Sequence, residues 1–155
     1  MTLLCCDVLN ALREKGMTLA TAESLTGGGI GAALTAVPGA SEVFKGGIIS
    51  YTNVVKQNIL GVDPDVLATF GAVSAQTAGG MASGARTLLN SDAAVSVTGL
   101  AGPGGDEFGH EVGTVFIGFD CQYCAVTKEF HFVGSREEIR RQTIRAALEL
   151  VLKHI

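Results

Sequence analysis

Two short stretches carry side chains that can do covalent chemistry. "TAESLTGGGIG", residues 21–31, sets the hydroxyl of Ser24 ahead of a run of glycines, and "ISYTNVVK", residues 49–56, gathers Tyr51, Asn53 and Lys56. A serine becomes a useful nucleophile only when a base takes its proton, and it gains most where backbone N–H groups can receive the charge of a tetrahedral intermediate. A strand-to-helix turn supplies such amides from the first helical turn. Lys56 is the base in this reading. Three residues past Asn53 as a helix cap, it meets the positive end of the helix dipole, and partial burial pushes the same way. A fraction of the amine is then neutral and able to deprotonate Ser24, with Tyr51 relaying or orienting the transfer. Neither His110, His131 nor His154 falls at a strand end, although His110, in a glycine-rich loop, stays open as a candidate. The plain alternatives are a serine that caps a helix, a solvated lysine and a tyrosine that packs with its hydroxyl in water.

The same glycines admit other chemistry. Gly27, Gly29 and Ala32 match the G-x-G-x-x-A spacing of a dinucleotide loop. The acid that should bind the ribose is missing, because the next strand ends "ISYTN" and the nearest acid, Glu42, precedes it. The G-K-[ST] ending of a Walker loop is missing too, so no cofactor is expected. Cys5 and Cys6, adjacent on a helix, point about 100° apart and do not complete a tetrahedral site with Cys121 and Cys124. No metal is expected, and "CQYC" reads as two reduced, half-buried thiols beside a hairpin.

With 11 basic against 15 acidic residues, a net charge of -4 and no basic run, the chain is a poor nonspecific nucleic-acid binder, whereas a small and even anionic ligand remains open. No apolar run reaches the roughly 18 residues that span a bilayer, and "MTLLCCDVLNALREKG" lacks the features of a signal peptide, which implies a cytoplasmic protein without membrane contact. At 155 residues and 47% hydrophobic, one domain over residues 1–155 is expected.

The elements that must position the reactive groups alternate. A helix closed by Gly16 leads to the strand "MTLATAES", the helix "GGGIGAALTAV" and the strand "VFKGGIISY". Short helices follow from Asn53 and from Asp63-Pro64, then a small-residue helix over Ser74 to Leu89, the strand "DAAVSVTGL" and the loop "AGPGGDEFGHEV". "GTVFIGFD" and "CAVTKEFHFV" pair antiparallel, and a capping box of Ser135 and Glu138 opens the last helix. This order predicts a three-layer α/β/α domain with a mainly parallel mixed sheet and one antiparallel strand. Ser24, then Tyr51 and Lys56, then Thr98 each follow or end a strand, so parallel neighbours would bring them to one crevice. The glycines and alanines of the Ser74 helix permit tight helix contacts, from which a homodimer or larger assembly is expected.

Taken in order, "TAESLTGG", "GGIISYTNVVKQNILGV", "GAVSAQTAGGMASGAR", "SVTGLAGPGG", "VGTVFIGF" and "GSREEIRRQT" cover nearly the whole chain and resemble the C-terminal domain family of the competence/damage-inducible protein CinA. Stand-alone members of that family act as nicotinamide mononucleotide amidohydrolases, and full-length relatives carry an additional N-terminal domain. The resemblance implies hydrolysis of the carboxamide of nicotinamide mononucleotide to nicotinic acid mononucleotide and ammonia, with Ser24 as nucleophile, Lys56 as base and Tyr51 assisting. It implies substrate contacts at Thr26, Gly27, Gly39, Thr98 and Gly99, and at Arg136 or Arg140 for the phosphate. Backbone amides from Thr26 to Gly28 are expected to hold the oxyanion. One departure bears on substrate preference: the family's Lys-Pro ahead of Val-Gly-Thr is His110-Glu111 here, which removes a positive charge from the glycine loop. The competing classes are a nucleotide-binding or interaction module that kept the pocket without the chemistry, and an amidase for another small carboxamide.

Overall fold

Alternating apolar runs and glycine turns resolve into five strands and six helices in a computed structural model that describes residues 1–155. The strands are β1 (Leu19–Glu23), β2 (Phe44–Ile49), β3 (Ala93–Gly99), β4 (Thr114–Cys121) and β5 (Cys124–His131). The helices are α1 (Thr2–Lys15), α2 (Gly29–Thr35), α3 (Asn53–Asn58), α4 (Pro64–Phe70), α5 (Ala75–Leu88) and α6 (Arg136–His154). One sheet in the order β2-β1-β3-β4-β5 contains them all, with β1 parallel to both β2 and β3 and β4 antiparallel to β3 and β5. The expected α/β layers and the single reversed strand, β4, are thus present.

The two-residue period of a strand divides the core between two faces. Leu19 of β1, Val95 and Val97 of β3, and Val115 and Ile117 of β4 join apolar side chains of α1, α2 and α6 in one cluster of 24 buried residues. The alternate positions Ala20, Ala22 and Ala94 join Met81 and Ala85 of α5 on the other face. Small residues are needed there because α5 lies close. On α5 itself, a Cβ at Gly84 would collide with the carbonyl oxygen of Leu60 in the α3–α4 connection. Gly84 thus serves packing within the chain, while Ser83 stays exposed and Gly80 half-buried on the same helix.

Local signals act as read. Gly16 closes α1 at φ 62, Asp63 accepts from the Asp65 amide with Pro64 behind it, and Ser135 and Glu138 form both bonds of a capping box. One boundary differs by a residue. Thr52, not Asn53, is the cap of α3, and Lys56 falls in the last turn of this six-residue helix. Its side chain runs back past the start of the helix to Ser50 O, and burial lowers its pKa there.

Candidate active site

The backbone of Ser24 is pinned before its side chain is considered. Its N–H donates to Val97 O of β3 at 3.0 Å, while the Ser50 N–H at the end of β2 donates to Glu23 O at 2.8 Å. The three parallel strand ends therefore form one connected floor. Lys56 reaches back to it from α3, with Nζ donating to Ser50 O at 2.7 Å and to Ser24 Oγ at 3.1 Å. The lysine is 1% exposed and the serine 8%. No carboxylate pairs with the ammonium, and desolvation lowers the Lys56 pKa from 10.5 to about 8. An amine in that state is partly neutral near neutral pH and can act as a base toward an adjacent hydroxyl.

A cavity of about 300 Å³ opens over this pair. Ser24, Leu25, Tyr51 and Lys56 line one side, Thr98 to Gly102 and Gly104 another, and Ala72, Val73 and Arg136 the rest. Thr98 Oγ1 donates to Ala72 O at 2.7 Å, which ties the α4–α5 connection over the end of β3. Gly99 lines the cavity, yet its lack of a side chain serves the sheet: a Cβ there would lie 2.6 Å from Thr114 O. Arg136 donates to Tyr51 Oη at 3.1 Å and also to Gly102 O. Tyr51 is bonded neither to Ser24 nor to Lys56 and is 59% exposed, so it stands at the rim beside Arg136 and outside the buried proton path.

Other expected contacts lie elsewhere. Thr26 is buried and donates through Oγ1 to Glu23 at 2.7 Å, and neither it nor Gly27 lines the cavity. Arg140 donates to Leu25 O and Thr26 O at 3.0 and 2.9 Å, so it clamps the turn behind Ser24 from α6 and does not face the cavity. Gly39, at φ 80, accepts from Arg13 at the opposite end of the sheet, ahead of β2. His110 is paired with Asp106 at 2.7 Å, and residues 105–112 do not line the cavity, so the lost lysine charge of that loop does not fall on its wall.

The residues from Thr26 to Gly28, whose amides were expected to hold the oxyanion, do not line the cavity. Ile30 N–H and Gly31 N–H donate to the Glu23 carboxylate at 2.9 Å each, and Gly27 N–H to Ser24 O at 3.0 Å. The N–H groups of Leu25, Ala101, Gly102 and Gly104, all in cavity-lining residues, have no acceptor within the protein. The role of Glu23 was missed in the sequence, although a carboxylate shortly before a helix start is a known anion site for first-turn amides. Ala72 and Val73 carried no chemical signal at all.

Fold and geometry together define an α/β domain with a buried serine–lysine pair at the carboxyl ends of its parallel strands. The chain belongs to the CinA C-terminal domain family, whose model matches residues 3–155. A CinA-like protein of Thermosynechococcus vestitus is 45% identical over 151 residues, which is 96% of this chain and 36% of that protein. A second from Geobacter metallireducens is 45% identical over 148 residues, again 96% of this chain and 36% of the relative. The chain thus spans about a third of the length of the curated relatives it matches. Among solved structures, the competence/damage inducible protein CihA of Agrobacterium tumefaciens superposes with a TM-score of 0.94 at 40% identity, covering 98% of this chain and 93% of that one. Competence damage-inducible protein A of Klebsiella pneumoniae gives a TM-score of 0.96 at 34% identity, over 99% and 95%. No helix is long and apolar enough to cross a membrane.

Proposed function

We propose that the chain is an amidohydrolase that converts nicotinamide mononucleotide to nicotinic acid mononucleotide and ammonia through an acyl-enzyme on Ser24. The observation that carries this reading is the 3.1 Å contact between Lys56 Nζ and Ser24 Oγ inside a buried, carboxylate-free site. With a pKa of about 8, roughly one lysine in ten is neutral at pH 7. The neutral amine accepts the Ser24 proton as Oγ attacks the carboxamide carbon, and the resulting ammonium returns a proton to the departing nitrogen. Ammonia leaves, water takes its place, and Lys56 deprotonates that water for attack on the ester. The Leu25 N–H, next to the nucleophile, together with the free amides of Ala101 and Gly102, supplies donors for the oxyanion. Arg136 is the one cationic side chain besides Lys56 in the lining, which supports it as the phosphate partner in preference to Arg140. Tyr51, bonded to Arg136, holds that guanidinium at the rim.

The test is ammonia release by the intact chain from nicotinamide mononucleotide and a panel of other small carboxamides, with Ser24→Ala as control. Turnover of the mononucleotide that disappears in the variant is expected. Binding of the mononucleotide without turnover would assign a nucleotide-binding module instead, and preferential turnover of another carboxamide would keep the mechanism and change the substrate.

A further inference from the structure

At the end of the sheet away from the cavity, β4 and β5 are joined by the two-residue turn Gln122-Tyr123, and the residues on either side, Cys121 and Cys124, are register partners. Cys121 is opposite Ala93 at the start of β3, whereas the cavity lies beyond Thr98 and Gly99 at its other end. The two Sγ atoms stand 3.5 Å apart. Cys121 is 7% exposed and packs in the large core, Cys124 is half-buried, and Tyr123 at the tip is 87% exposed. No third histidine, cysteine, aspartate or glutamate joins them to make a metal cluster, so what remains for two touching thiols is chemistry with each other.

We propose that Cys121 and Cys124 are an oxidation site, a dithiol that a hydroperoxide converts to an intrachain disulfide. The sulfur of Cys124, the more exposed of the two, attacks the terminal peroxide oxygen. The O–O bond breaks, Cys124 becomes a sulfenic acid and the peroxide leaves as water or an alcohol. The sulfur of Cys121 then attacks the Cys124 sulfur, the S–O bond breaks, and the departing hydroxide takes the Cys121 proton as water. Two thiols lose two electrons in total, and one peroxide gains them.

Two features favour closure of the pair. Directly opposed residues of antiparallel strands have Cα atoms about 4.5 to 5.5 Å apart, inside the span of a disulfide. The second step joins groups already in contact, so it proceeds as an intramolecular reaction and outruns further oxidation of the sulfenic acid. The first step is the slower one, because desolvation, the hydrogen bond with Cys121 and the nearby Cys121 and Asp120 charges all raise the Cys124 pKa and so reduce its thiolate. Cys5 and Cys6 provide an internal contrast. They are neighbours in α1 whose side chains diverge by about 100°, and Cys5 is fully buried with its pKa raised mainly by that burial.

The experiment treats the folded full chain with hydrogen peroxide, removes the peroxide, blocks the remaining thiols with N-ethylmaleimide under denaturing conditions, and maps the peptides by mass. Of the four cysteines, two should be lost to the reagent, with the peptide holding Cys121 and Cys124 lighter by two hydrogens. Cys124→Ser and, independently, Cys121→Ala should each abolish that product. Ammonia release, if the functional reading holds, should be unchanged in Cys124→Ser, so the two proposals fail separately. Stepwise oxygen addition at Cys124 without the disulfide, or a disulfide formed first at Cys5 and Cys6 or between chains, would overturn the assignment.

Discussion

Glu23 and Lys56 are both 1% exposed ions at the carboxyl end of the sheet, yet their surroundings are opposite. Glu23 accepts from Thr26 Oγ1 and from the amides of Ile30 and Gly31, so its charge is spent on the start of α2. Lys56 has two neutral oxygens, Ser24 Oγ and Ser50 O, and no counter-ion. A buried ion with its donors satisfied is stable where it is, whereas one denied solvent and partner is pushed toward its neutral form. The turn after β1 thereby becomes scaffold, and the segment after β2 delivers the proposed base.

That contrast can be broken by exchanging roles, and the largest effects should fall on activity. Ser24→Ala should lower ammonia release by about a thousandfold or more with an unchanged fold, measured by initial rates and circular dichroism. Lys56→Met should lose activity on a similar scale without losing stability. The sign follows from linkage: the native pKa of about 8 lies below the unfolded 10.5, so the unfolded chain binds the proton more tightly. The penalty is fully present below about pH 8 and fades as pH rises toward 10.5. The stability advantage of Lys56→Met over the parent should therefore shrink across that window in urea titrations.

Glu23→Gln should behave in the opposite way. Its amide puts a donor in place of one of the two oxygens to which the helix amides donate, at a cost of about 1–3 kcal/mol in unfolding free energy. If the variant unfolds no more easily than the parent, Glu23 is not the scaffold described. The smallest effect belongs to Arg140→Met. Without its clamp on Leu25 O and Thr26 O, the Ser24 turn should loosen and kcat fall by about tenfold with KM little changed. A rise in KM alone would instead return Arg140 to substrate binding.

The layers, the reversed strand and the caps at Asp63 and Ser135 were legible because each rests on local chemistry or on period. The convergence of Ser24, Lys56 and Thr98 was legible from their places at strand ends. What sequence could not carry was the direction of individual groups. Thr26 faces Glu23, Gly39 lies at the far end, and Arg140 turns to carbonyls, while Arg136, one helical turn earlier, reaches the cavity. The cap of α3 is Thr52 in place of Asn53, and desolvation is the cause that lowers the Lys56 pKa.

The most direct test is the pH dependence of kcat/KM for ammonia release from nicotinamide mononucleotide, followed from about pH 6 to about pH 9.5. The account predicts a rise governed by one ionisation near pH 8, the neutral Lys56 amine being the active form, and no measurable turnover in Lys56→Met. A flat profile over that range, or turnover retained in Lys56→Met, would contradict the serine–lysine mechanism.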